Sequence, residues 1–261
     1  MIHPTHVIVY HPWVYADPPT LRAGIIGTSV QFLQLSLLAC AFLANCAGGM
    51  FFGQVADRMH LALGFSAGTV LAAGFFIFMP QAILSGGSIH GADQLLAFVG
   101  IGFVIALLLD RFGFGWIAGN GSHDAMRERH ARSVLNGAAI GTAYHVSFAV
   151  GGLVAAALLT HEFSDSAART RELREQRPRG TLRASAISTL CFAAGLAATS
   201  FYGISPFILS AELALFGGYF TYLSASDLIP ESQHAHPQLL TVGMTFSGAA
   251  ALYLASYVLE R

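Results

Sequence analysis

Three ionisable residues end an otherwise apolar run in GGLVAAALLTHEFSDS: His161, Glu162 and Asp165. His161 and Asp165 are four apart and share one face of a helix, while Glu162 lies about 100° round from His161. Imidazole with carboxylate is a ligand set for zinc and related divalent ions. The same residues also suit a helix end that meets water near arginines, and spacing alone leaves both readings open. A second segment, ERHARSVLNGAAIGTAYHVS, sets Arg132 and Asn136 four apart with Ser133 beside Arg132. Gly137 and Gly141 give it a small-residue stripe that permits close approach of another helix. The guanidinium of Arg132 has donors only and stays protonated, so it cannot ligate a metal.

The elements that must hold these residues are membrane helices. Of 261 residues 54% are apolar and only 10% charged, with mean hydropathy +0.60. Soluble domains carry about 25% charged residues. So few charges cannot cover a surface facing water, and most of this surface must face lipid. A crossing helix needs about 20 apolar residues, and such runs fall at 28–53, 61–84, 93–111, 126–144, 148–170, 183–202, 206–230 and 237–258. The expected fold is an all-α membrane protein of eight transmembrane helices, a single domain over 28–261 after an arm at 1–27. Residues 1–20 lack the positive start of a signal peptide and read as irregular chain. The fourth and fifth runs carry polar residues midway, and polar groups in lipid must face a partner or a water-filled cavity.

Net charge is −1, which gives no footprint for nucleic acid. All thirteen basic residues are arginine, so lysine Schiff-base and P-loop chemistry are absent. Cys40, Cys46 and Cys191 sit in apolar runs without CxxC spacing and predict no disulfide framework. With eight helices, Arg58, Arg111, Arg127, Arg129, Arg132 and the six arginines from Arg169 to Arg183 fall on one side. Only Arg22 and Arg261 fall on the other. The positive-inside rule then makes the arginine-rich loops cytoplasmic, both termini outside, and the cell membrane the expected location. An internal repeat supports that count. Gly68 precedes Pro80 by twelve in GTVLAAGFFIFMPQ, and Gly218 precedes Pro230 by twelve in GYFTYLSASDLIPE. Second matched with seventh is what an inverted repeat of helices 1–3 and 6–8 around a central pair 4–5 produces.

Four segments together resemble the ZIP family of divalent-metal transporters. The fourth-helix signature of that family begins with histidine, then Asn or Ser, and has a carboxylate and glycine at the fifth and sixth positions. Here the run is Arg132-Ser133-Val134-Leu135-Asn136-Gly137, continuing to Ile140-Gly141. The fifth-helix signature is matched by His161-Glu162-Phe163-Ser164-Asp165. LGFSAGTVLAAGFFIFMPQAI and GGYFTYLSASDLIPES are similar to the second and seventh helices of the family. The resemblance implies a metal path between the fourth and fifth helices, moved by a rigid-body shift, with uptake toward the cytoplasm and no nucleotide hydrolysis. Carried over by position, the metal site comprises His161, Glu162, Asp165, Asn136 and Ser133. The cargo is a divalent ion such as zinc, manganese or Fe(II), with no resident cofactor.

The departures define a second reading. Arg132 stands where the family has histidine, Asn136 where it has a carboxylate, and Ser164 where it has proline. One carboxylate is lost and one cation gained, which weakens a divalent site. Either a reduced site still transports, with Arg132 swung toward the cytoplasmic mouth, or Arg132 pairs with Asp165 or Glu162 and locks the path. In the locked case the protein is a ZIP-fold chain with a non-transporting, regulatory or altered role. An enzyme is not expected: no HExxH is present, since Asp165 takes the last position. Asp227 and Glu231, four apart, with His234 and His236 after them, form a possible exit relay or a solvated loop. His3, His6 and His11 read as collecting metal outside or as chance. Partners expected are the metal ion, the lipid bilayer and, through Gly48-Gly49 and Gly151-Gly152, a second copy in a homodimer.

Overall fold

The structure is a computed structural model that describes residues 23–51, 56–87, 89–112, 124–173, 178–200, 204–233 and 238–259. Residues 1–35 and 36–261 form two units. The smaller holds the start of a helix over Ala23–Phe51 (α1), so this helix begins before the position 28 expected from hydropathy. The larger holds the rest of α1 and, among the described residues, seven further helices.

These are α2 (Ala56–Ala72, then Ala73–Phe78 and Met79–Gly86), α3 (Ala92–Phe112), α4 (Asp124–Val146) and α5 (Phe148–Leu173). After them come α6 (Pro178–Ser200), α7 (Pro206–Leu223, then Ser224–Leu228 and Ile229–Gln233) and α8 (Gln238–Leu259). No strand occurs among the described residues. Among the described residues, five stretches are long and apolar enough to cross a membrane: His60–Gly86, Ala92–Arg111, Leu182–Thr199, Pro206–Gln233 and Leu239–Leu259. A shorter apolar helix covers Phe32–Gly48. The chain is therefore an all-α protein with the helices of an integral membrane protein. α4 and α5 are not among the five, in keeping with their polar content.

α2 and α7 form the centre. Their apolar windows are 67% and 56% buried, against 17%, 33% and 22% for those of α3, α6 and α8. The outer helices turn large apolar side chains outward, such as Ile101 and Val104 on α3, Leu190 on α6, and Phe246 and Val258 on α8. An outer surface of that kind suits lipid and not water.

The two central helices run antiparallel. Ser224 Oγ donates to the Ala67 carbonyl at 2.7 Å, and a Cβ on Gly74 would lie 3.1 Å from the Gly217 carbonyl. A shift of 150 positions exchanges these two contacts, since 67 becomes 217 and 74 becomes 224. The same shift relates their flanking partners. Gly68 abuts the backbone of Thr245 on α8, and Gly218 abuts that of Val99 on α3. Side chains at either glycine would displace a neighbouring backbone, which is why close crossing here requires glycine.

Both central helices also widen in the same place. Ala73–Phe78 and Ser224–Leu228 are π-helical. The Met79 N–H reaches the Gly74 carbonyl and the Ile229 N–H reaches that of Ser224, each one residue before a proline. A proline ring collides with the carbonyl four residues back, here Phe76 or Ser226. The wider π turn contains that residue in each case and accommodates the ring. The repeat read from two glycine–proline intervals is thus a repeat of backbone geometry in two antiparallel helices.

α4 and α5 form a tight hairpin. Only Ser147 separates them, and its Oγ accepts from the Val150 N–H at 3.1 Å, capping α5. α4 packs closely on α6 through Gly137 and Gly195, each set against the other helix's backbone. Gly48 of α1 abuts the Phe163 carbonyl of α5, and Gly151 abuts the Tyr144 ring. Gly48 and Gly151 are thus occupied by contacts inside the chain, while a Cβ at Gly152 would meet nothing within 4 Å.

Candidate cation site

The α4–α5 hairpin brings the two signature segments face to face. Glu162 is 2% exposed. Its Oε1 accepts from Asn136 Nδ2 at 2.8 Å and from Ser133 Oγ at 3.3 Å, both on α4. Its Oε2 accepts from Asn45 Nδ2 on α1 at 3.2 Å. All three partners are neutral, so among the described residues no cation balances this carboxylate. An isolated charge away from water is costly unless paired, hydrogen-bonded or protonated.

The amides that serve Glu162 leave their other ends unsatisfied. Asn45 Oδ1 and Asn136 Oδ1 are both buried without a hydrogen-bond partner, as is His161 Nδ1 on the neighbouring position. A buried acceptor lacking a donor carries a penalty of about 1–3 kcal/mol. Two such amides, one carboxyl group and one hydroxyl thus gather where α1, α4 and α5 meet. Hard cations take oxygen ligands of this kind.

The surrounding backbone is pinned. Ser166 Oγ donates to the Asn45 carbonyl, tying α5 to α1. The Ser164 hydroxyl lies 3.1 Å from the Thr160 carbonyl and 3.3 Å from that of Ala62 on α2, donating between the two. α5 runs as one unbroken α-helix through this position, and the hydroxyl joins it to α2.

Of the residues expected at a metal site, Glu162, Asn136 and Ser133 are brought together. His161 is buried, 3% exposed, with no hydrogen bond to Glu162. Asp165 is half-buried and is not among the partners of Glu162. Among the described residues no three His, Cys, Asp or Glu side chains converge on a point where an ion would sit.

Arg132 departs from the expected lock at Glu162. Its guanidinium pairs with Asp227 of α7, and lies 3.7 Å from Asp110 of α3. Tyr222 Oη donates to the other oxygen of Asp110 at 2.7 Å. The reason is reach: Arg132 and Asn136 share a helix line, but the longer side chain extends across to α3 and α7 while the amide stays on α5. The side chains of Arg132, Asp227 and Asp110 are 22%, 32% and 34% exposed. Asp227, expected in an exit relay, is instead held in this ion pair, and Glu231 lies exposed on the last turn of α7. His3, His6, His11, His234 and His236 lie outside the described residues.

Asn45, Asp110, Tyr222 and Glu212 were not singled out from the sequence. Each had a signal available, a polar or ionisable residue inside an apolar run. No family model and no curated protein matches the sequence.

Proposed function

We propose that this chain is a membrane transporter for a cation, with eight crossing helices and the cation held at Glu162 between α1, α4 and α5. The observation that carries the reading is the buried Glu162 carboxylate, served only by neutral donors and flanked by two unpartnered amide oxygens. A cation placed there would meet one carboxylate, two amide carbonyls and a hydroxyl, each amide turning its oxygen inward. The antiparallel, 150-shifted pair α2 and α7 supports a transporter, because inverted repeats around a central site are the usual architecture for alternating access.

The ZIP-like motifs make divalent metals, zinc above all, the first cargo to test. Uptake would run toward the cytoplasm, with both termini outside. The experiment is uptake of Zn, Mn and Fe(II) into proteoliposomes by wild type and by Glu162→Gln, with His161→Ala/Asp165→Ala alongside. Saturable uptake lost in Glu162→Gln supports the reading, and loss in the His161/Asp165 variant extends the path along α5. Folded protein that moves none of these ions refutes divalent transport.

A second reading is favoured by Arg132. Its ties to α3 and α7 join the elements that rigid-body transport must separate, as in a ZIP-fold protein with a regulatory, non-transporting role. Ion binding at Glu162 without flux would select it.

A further inference from the structure

A second carboxylate, half-buried, lies between helices on a different seam from Glu162. Glu212 sits six residues into the Pro206–Gln233 span of α7. Its Oε2 accepts from Thr142 Oγ1 of α4 at 3.1 Å, and among the described residues it has no cationic partner. One neutral hydroxyl answers a small part of a carboxylate's acceptor capacity. An ionisable side chain at this depth is costly and marks a functional position.

Glu212 borders an open cavity of about 320 Å³ lined by residues of α3, α4, α6 and α7. The size is that of a small-molecule site, and such sites are mostly apolar with a few placed polar groups. Its walls fit that description: Ile105, Leu135 and Leu215 are aliphatic, and Phe216 and Tyr219 are aromatic. Ile105 is 45% exposed and marks the rim toward the outside of the bundle.

These walls discriminate among ligands. A metal ion would find one carboxylate and few other oxygens, too few for its coordination shell. An anion would meet Glu212. A neutral hydrocarbon would leave the carboxylate unanswered. A monocation with an apolar body satisfies every wall: its charge offsets Glu212, its carbon skeleton covers the aliphatic side chains, and aromatic faces attract it further.

We propose that this cavity binds a hydrophobic ammonium compound, its nitrogen at Glu212 and its apolar body against Ile105, Leu135 and Phe216. The ammonium is that of a soluble amine or of an ethanolamine lipid headgroup. The site is independent of Glu162 and of the transport reading. Because its walls come from α3, α4, α6 and α7, an occupant spans helices from both halves of the repeat.

The test is equilibrium dialysis of benzyltriethylammonium against the full chain in a neutral maltoside detergent. Saturable binding of one probe per chain is expected. Glu212→Gln should bind at least about tenfold more weakly, as loss of a charged partner implies, while Glu162→Gln binds as wild type does. Ile105→Trp fills the cavity from its exposed rim and should weaken binding too, which keeps the test open if Glu212→Gln fails to fold. Displacement by short-chain phosphatidylethanolamine but not phosphatidylglycerol assigns the site to the lipid; absence of displacement by either assigns it to soluble amines. Unchanged affinity in a folded Glu212→Gln, or equal binding of a neutral phenylalkyl alcohol, overturns the proposal.

Discussion

Asn136 Nδ2 donates to Glu162 Oε1 at 2.8 Å, across a hairpin that turns on Ser147. Asn45 does the same from α1 at 3.2 Å. Two amides acting as donors hold the carboxylate in place, and the same groups rotated present oxygens. On the proposed reading, a bound cation would meet the same side chains with the amide ends exchanged.

Replacing that amide by an acid tests the charge argument. Asn136→Glu sets a second carboxylate beside Glu162, and two acids bind a divalent ion more tightly than one. Zinc affinity measured by calorimetry should rise by about tenfold or more. The ZIP-like pair Arg132→His with Asn136→Glu should bind metal as well, yet with lower stability, since Arg132 also serves Asp227 and Asp110. Unchanged zinc binding in both variants would mean that position 136 does not face the ion.

Removing the guanidinium leaves two acids facing each other. Arg132→Gln should lose about 1–3 kcal/mol in denaturant unfolding, less than the ~3–5 kcal/mol of a fully buried broken pair, because these groups are partly solvated. Adding Asp227→Asn should recover part of that loss. A double-mutant cycle with no coupling between 132 and 227 would contradict the ion pair.

The repeat predicts equal injuries at equivalent places. Gly68→Ala pushes a methyl into the backbone at Thr245, and Gly218→Ala pushes one into that at Val99. Each should destabilise the fold by about 1–3 kcal/mol, as overpacking does. A Cβ at Gly152 or Gly243 meets nothing within 4 Å, so Gly152→Ala and Gly243→Ala should be neutral or gain about 0.5–1 kcal/mol. Thermal unfolding in detergent ranks the four; equal behaviour of all would refute the close crossings.

Orientation is checked with reporters at the ends. A C-terminal fusion to a reporter active only outside the cytoplasm should be active, and one placed at 174–177 should be silent. The reverse pattern would invert the positive-inside assignment.

The helices were legible because lipid demands long apolar runs, and five of the eight runs match their helices within three residues. α1, α2 and α6 each start five residues earlier, because helix continues into residues before the run itself. Ser133, Asn136 and Glu162 were legible as a group because motif spacing along a hairpin brings them opposite each other. Asn45 was not, since nothing along the chain says which face of α1 meets α5. That Arg132 meets Asp227 and Asp110 was not legible for a similar reason. Four-residue spacing gives the line on which a side chain starts, while a long flexible side chain chooses its end by where acids lie on other helices. Asp110 and Asp227, 117 positions apart, converge there only after α3 and α7 have packed.

The two π turns make α2 and α7 one residue longer than their span requires. In genetic terms each is an insertion kept in place beside its proline. Loss of a single codon within 73–78 or 224–228 would leave an unbroken helix, whereas the same loss elsewhere in these helices would turn every later side chain onto the wrong face. Length variants that persist in this gene lineage should therefore gather at those two places, and should arise in one half of the chain without needing a matching change in the other.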